Sequence, residues 1–483
     1  MTDRDDDASA AMAGLAPPLT RRRFLRSACA AVGMTSLAHT VFDLRRIAAA
    51  ATTAGDSTLA DYRAQSEYRA LVCLFLYGGN DGNNMVVPRG PEYAGYAAAR
   101  GELALPQSLL LSLPGTTTDG RQWGLHPAMP QLHALYGQGK AAVVANVGPL
   151  VAPLTRAQYD AGSAAVPPQL FSHSDQTLHW QTSLPDQPAR SGWGGRVADL
   201  LHGANGNAQL SMSMSLSGNN TFQVGSAVTQ YQVSPDGSVG LGWYYDGNEW
   251  NDPPSTAIRR LMSQSYGNLF TQGYRDVFAR ALDQDRLLAA ALQATAPLTT
   301  AFPDSYLGRQ LQMIARLIAA RGPLALSRQV FFCAADGYDT HGEQVGAQAA
   351  VGTHADLLGE LDAALAAFYR ATVELGVAGS VTTFTASDFG RTYASNGDGS
   401  DHGWGNHHLV VGGGVSGGRI YGDMPVLQVD GPDDVGDGRW IPTIAVDEYA
   451  ATLARWFGVA TSDLPLVLPN LGRFRRNDLG FLA

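Results

Sequence analysis

Ala70-Leu71-Val72-Cys73-Leu74-Phe75-Leu76-Tyr77 is an unbroken apolar run that begins just after Arg69 and ends in Gly78-Gly79-Asn80-Asp81-Gly82. A run of this kind, with no apolar–polar alternation, predicts a strand buried on both faces, as in parallel sheets. The glycines predict a tight loop at its carboxyl end. Working outward, residues 127–136 read as a helix and 141–147 as the next strand. Strand, helix and strand at this spacing fit an α/β crossover. The pattern continues in the second half. A helix over 304–320 carries Leu307, Leu311, Ile314 and Ile318 on one face, and 329–335 reads as a strand. A longer helix over 354–375 is striped by Leu357, Leu361, Leu365 and Phe368; strands at 381–386 and 408–411 follow. A last helix spans 444–457, with Asp447 and Glu448 near its start, where negative charge suits exposed amide groups. The expected class is α/β, with a mostly parallel central sheet and helices on both faces.

The middle of the chain differs. Residues 209–239 are rich in Ser, Gly, Asn and Gln with rough alternation, which reads as a polar β-hairpin region or a long insertion, placed around 205–255, rather than a core element. Residues 256–296 turn helical, with Gly and Asn splitting the stretch in two.

At the amino terminus, Thr20-Arg21-Arg22-Arg23-Phe24-Leu25-Arg26 precedes a short apolar stretch and then small residues. This is a signal-peptide layout, and the paired arginines resemble the twin-arginine signature. The expectation is a signal over 1–52, one domain over 53–483, and a periplasmic or extracellular protein exported already folded. The apolar stretch is too short to span a bilayer, and no later stretch reaches about 18 uncharged apolar residues, so no permanent transmembrane anchor is expected. The net charge is −10 and Lys140 is the single lysine. An acidic chain with no basic stripe excludes nucleic acid as a partner, while its carboxylates remain available to metal cations. Cys73 and Cys333 lie in apolar runs and read as buried thiols or, in an oxidising compartment, as a disulfide.

The acidic and imidazole residues gather after strands. Asp81 follows the first strand; Asp336, Asp339 and His341 follow 329–335; Asp388 and Arg391 follow 381–386; Asp401, His402, His407 and His408 come next. Parallel strands place such endings along one sheet edge, where open α/β sheets bind ligands. Carboxylates collected there repel one another unless cations or arginines compensate. A divalent metal is one solution. Asp339-Thr340-His341 and Asp401-His402-Gly403 each offer an oxygen and a nitrogen donor on a short loop, a set suited to zinc, manganese or iron better than to calcium. Each residue also has a structural alternative: Asp81 as a turn cap, Asp388 as a loop cap or partner of Arg391, and 401–402 as a surface loop. His407 and His408 are adjacent, so only one of them is expected to be a ligand. In Phe171-Ser172-His173-Ser174-Asp175-Gln176, a serine either caps a helix or acts as a nucleophile at its start. His173 and His179 are not three or four residues apart on one helical face, so they make no ready ligand pair. Arg391 is either an anion clamp or a salt-bridge partner.

Four blocks carry a resemblance to the mostly bacterial family DUF1501: Phe75-Leu76-Tyr77-Gly78-Gly79-Asn80-Asp81-Gly82-Asn83-Asn84, Ser172-His173-Ser174-Asp175, Asp339-Thr340-His341 and Ser387-Asp388-Phe389-Gly390-Arg391-Thr392. The last continues into Asp401-His402-Gly403-Trp404-Gly405-Asn406-His407-His408. That family resembles the alkaline phosphatase and sulfatase superfamily. The resemblance implies an alkaline phosphatase-like domain and a one- or two-metal centre that hydrolyses phosphate or sulfate esters. Carried over by motif, the implied metal residues are Asp81, Asp339, His341, Asp388, Asp401 and His402, with His408 or His407 as the last. Phe389 stands where the superfamily has a histidine, and no sulfatase-type Cys-x-Pro-x-Arg sequence occurs. Ser174 is the expected nucleophile and Arg391 the anion stabiliser. The expected function is an exported metal-dependent hydrolase acting on an anionic ester or envelope polymer. The alternative is a non-catalytic envelope protein on the same scaffold.

Overall fold

Among the described residues, ten strands form the central sheet. They are β1 (Arg69–Leu76), β2 (Ala141–Gly148), β3 (Ser213–Ser215), β4 (Tyr231–Ser234), β5 (Gly237–Ser238), β6 (Arg328–Ala335), β7 (Val381–Ser387), β8 (Asn406–Gly412), β9 (Ile420–Tyr421) and β10 (Ile444–Ala445). The computed structural model describes residues 67–115, 117, 119–205, 210–238 and 253–483. The expected signal over 1–52 lies outside the described residues, as do 206–209 and 239–252 of the expected insertion. The described residues fall in the compact unit Tyr62–Ala483. Among them, no helix is long and apolar enough to cross a membrane.

The sheet runs β9-β2-β8-β7-β1-β6-β3-β4-β5, with β10 also on β2. β1 lies between β6 and β7, parallel to both. Its side chains alternate between two cores: Ala70, Val72, Leu74 and Leu76 face one, and Leu71, Cys73 and Phe75 face the other. This burial on both faces is what the apolar run requires, since a strand exposed on one side would alternate. Cys73 and Cys333 are buried free thiols in opposite cores, so no disulfide joins them.

Helices α3 (Tyr306–Ala319) and α4 (Thr353–Glu374) cover the first face through Leu307, Leu311, Ile314, Leu358, Leu361 and Leu365. Helices α1 (His173–Thr182), α2 (Trp193–Leu201) and α5 (Val446–Phe457) cover the second through Trp180, Val197, Leu201, Tyr449 and Leu453. Each such buried aliphatic side chain contributes roughly 1.5–3 kcal/mol relative to exposure.

The polar middle segment is corrected in part. Leu210, Met212, Met214 and Leu216 are buried, and β3 pairs parallel with β6. Ser213 and Ser215 between them are buried too, so the alternation there belongs to a sheet strand with small polar residues on one face.

Two features of register place the site. β1, β6 and β7 end level, with Leu76 opposite both Ala335 and Ser387. Their loops therefore leave the sheet side by side. β8 runs antiparallel to β7 and β2, so the 388–405 loop that enters it stays at that same edge.

Candidate metal centre

Gly78 opens the loop after β1 at φ +110°, and a Cβ there would stand 2.4 Å from the Asp339 amide nitrogen. Only glycine lets the β1 and β6 loops meet so closely. Asp339 and His341 lie on the loop after β6, His402 on the loop between β7 and β8, and His173 at the first position of α1.

These four converge. Asp339 Oδ1 is 3.4 Å from His173 Nε2, 3.2 Å from His341 Nε2 and 3.5 Å from His402 Nε2. Among the described residues, His173, Asp339 and His402 form a candidate metal-binding triad whose donor atoms all lie within 4.8 Å of one another. His341 stands beside that triad, its Nε2 2.8 Å from His402 Nε2.

The other ring nitrogens fix the tautomers. His173 Nδ1 donates to Asp388 Oδ2 at 2.6 Å, His341 Nδ1 to Asp401 Oδ1 at 2.9 Å, and His402 Nδ1 to the Phe171 carbonyl at 2.7 Å. A neutral imidazole that donates from Nδ1 has a lone pair at Nε2. Three lone pairs and a carboxylate oxygen are thus aimed at one another, which is repulsive without a cation between them. Ligands about 2.0–2.1 Å from a tetrahedral ion stand roughly 3.3 Å apart, close to the Asp339 separations and wider than the 2.8 Å between His341 and His402. The residues therefore fit a divalent metal, and each imidazole has the outer partner that metal-binding histidines have.

The electrostatics agree with this arrangement. The hydrogen bond to Asp388 raises the His173 pKa more than burial lowers it, making Nε2 a stronger donor. Burial lowers the His402 pKa, favouring the neutral ring. Burial pushes Asp339 up, but the hydrogen bond and charge of Arg391 outweigh it and hold the carboxyl below its usual range. The side chains of Asp339 and His341 are each 46% exposed, so the centre opens to solvent. It borders a cleft of about 560 Å³. Phe389 is buried with its ring 4.8 Å from His173 and 4.6 Å from His402, centroid to centroid, and serves as a shared floor for both imidazoles.

A family model described as a protein of unknown function, DUF1501, matches residues 68–439. The chain belongs to the DUF1501 family. No curated protein matches this DUF1501 chain in sequence. Among solved structures it is distantly similar to PsFucS1 sulfatase from Pseudoalteromonas sp., at 11% identity and TM-score 0.35 over 85% of this chain and 72% of that one. Lipoteichoic acid synthase LtaP from Listeria monocytogenes is similar at 8% identity and TM-score 0.32, over 85% and 77%.

In this DUF1501 protein the residues singled out from sequence divide into three groups. Asp339, His341 and His402 supply donors to the cluster. Asp388 and Asp401, expected as ligands, instead hold His173 and His341 by their Nδ1 atoms. Asp81 and His408 are corrected. Asp81 is fully buried; Oδ1 accepts the Asn83 and Asn84 amides and Oδ2 accepts Arg100 and Gln344, which leaves no lone pair for a metal. It combines the turn-cap role with a buried ion pair. His408 sits within β8, its ring against Trp180 and Tyr449, and burial lowers its pKa to about 3.

Arg391 is also corrected. Its side chain is 0% exposed and donates to the carbonyls of Gly79, Ser400, Gly78 and Tyr338 and to Asp339 Oδ1. Its guanidinium has no face left for an incoming anion; it positions Asp339. Ser174 lies on the cleft wall, with Oγ 3.2 Å from Ser172 Oγ and 3.5 Å from Asp175 Oδ2. His173 is the donor that the sequence reading passes over. A search for histidine pairs on one helical face misses it because it acts alone from the helix start; its place inside the Ser172-His173-Ser174-Asp175 block is the available signal.

Proposed function

We propose that this DUF1501 protein is an exported, metal-dependent hydrolase of phosphate or sulfate esters, working in the periplasm or outside the cell. The observation that carries the reading is the convergence of three Nδ1-anchored imidazoles and Asp339 beside an open cleft. A bound zinc, manganese or iron ion supplies Lewis acidity at an ester oxygen and lowers the pKa of water. His173, His341, His402 and Asp339 would hold it. Asp388, Asp401 and the Phe171 carbonyl keep the Nε2 lone pairs directed inward. Arg391 keeps Asp339 ionised and in place. Among the described residues, Ser174 Oγ hydrogen-bonds Ser172 and Asp175, and no imidazole or amine among them serves it as a base. The reading therefore assigns attack to water rather than to Ser174.

The test is turnover of a panel of aryl phosphate and sulfate esters by metal-loaded protein. Activity should vanish on chelation and return with metal. Ser174→Ala should stay within about tenfold of wild type, whereas removing a group essential to the transition state costs about 10²–10³-fold. A second reading has its own support: with His341 beside the triad the protein offers four donors, the number that structural metal sites use. Tightly bound metal with no turnover of any ester would favour that non-catalytic reading.

A further inference from the structure

Three carboxylates, Asp336, Asp339 and Asp388, line the cleft beside the four-donor cluster, and among the described residues no lysine or arginine lines it. The basic groups nearby are engaged elsewhere. Arg391 is buried behind Asp339. Arg439 donates to the His402 and Gly436 carbonyls and to Asp437. Lys140, the single lysine, lies at the opposite edge of the sheet, where it points to the Gly413 carbonyl. The remaining wall offers hydroxyls from Tyr77, Ser174 and Thr177.

We propose that the cleft selects monoanionic esters, phosphodiesters or sulfate monoesters of neutral hydroxyl-bearing groups, and that Asp336 sets the selection against dianionic phosphate monoesters. This rests on the metal-dependent reading above. The divalent ion and Arg391 carry three positive charges and Asp339, Asp388 and Asp401 three negative ones, so beyond direct coordination the centre gives an incoming anion no net positive charge. A monoanion brings one charge to the ion. A dianion carries a second charge that meets no protein cation and faces Asp336, which is exposed on the loop after β6. Coulomb energy is linear in ligand charge, so whatever factor Asp336 imposes on a monoanion is squared for a dianion.

The test is equilibrium binding to the metal-loaded full chain at pH 8.5, by calorimetry and by the visible spectrum of the cobalt-loaded protein. The probes have no cleavable ester bond: benzenesulfonate and methyl(phenyl)phosphinate as monoanions, and phenylphosphonate as the dianion. Both monoanions should bind more tightly than the phosphonate, and the tighter of the two names the source, sulfate ester or phosphodiester. Asp336→Asn should tighten the monoanions about threefold and the phosphonate about tenfold. Stoichiometric metal with phosphonate bound at least as tightly as the sulfonate, or an equal gain for all three probes in Asp336→Asn, overturns the selection and leaves the metal reading standing. Failure of the wild type to take up metal overturns both.

Discussion

Replacing His173 and His402 together by alanine should reduce bound metal from about one ion per chain to a trace after dialysis, with the fold retained. Four-ligand zinc sites are worth about 10–16 kcal/mol at neutral pH, or roughly 3 kcal/mol per ligand. Loss of one imidazole should therefore weaken binding at least about a hundredfold, and loss of two by several further powers of ten. The side chains are 35% and 22% exposed, and neither belongs to the two large cores, so the effect on unfolding should be small. Metal content by elemental analysis, beside urea unfolding of the metal-free proteins, checks both halves. Retained metal in the double variant would mean the ion is held elsewhere.

Arg100→Met should cost about 3–5 kcal/mol of stability while leaving metal content unchanged, because it strands a buried carboxylate. The Asp81 and Arg100 side chains are both 0% exposed. Burial alone pushes the Asp81 carboxyl up; Arg100, His354 and the Gln344 hydrogen bond together outweigh it and hold it below its usual value. The sign follows. A carboxyl whose folded pKa is depressed contributes stability that is present above the unfolded value of about 4 and is lost as pH falls through the folded value. Urea unfolding from pH 3 to 7 should show that contribution in wild type and its absence in Arg100→Met. Adding Asp81→Asn should recover part of the loss, since the stranded charge is then gone. A loss of metal in Arg100→Met without loss of stability would instead place Asp81 at the metal.

The contrast between Asp81 and Asp339 shows where sequence reasoning stops. Both follow a buried parallel strand and a turn, and both carry the same resemblance. Strand endings are legible because an unbroken apolar run such as 70–76 must be covered on both faces, and the shared edge follows from parallel pairing. What the chain does not display is which cation each carboxylate meets. Arg100 reaches Asp81 from a separate helix, Tyr93–Arg100, and nothing in local spacing marks the pair. Arg391 looks like a clamp from its place after a strand, yet four backbone carbonyls surround it. The same limit applies to His173. Its partners Asp388 and Asp339 are brought in by sheet register rather than by helical periodicity. The polar strand β3 escapes a hydrophobicity reading because Ser213 and Ser215 flank its one methionine, Met214, even though all three are buried.

The most direct measurement is anomalous X-ray scattering at the absorption edge of the metal in crystals of the loaded protein. One peak should appear among Nε2 of His173, His341 and His402 and Oδ1 of Asp339, about 2.0–2.2 Å from each. A peak beside Asp81, or none within reach of these four atoms, would contradict the centre described.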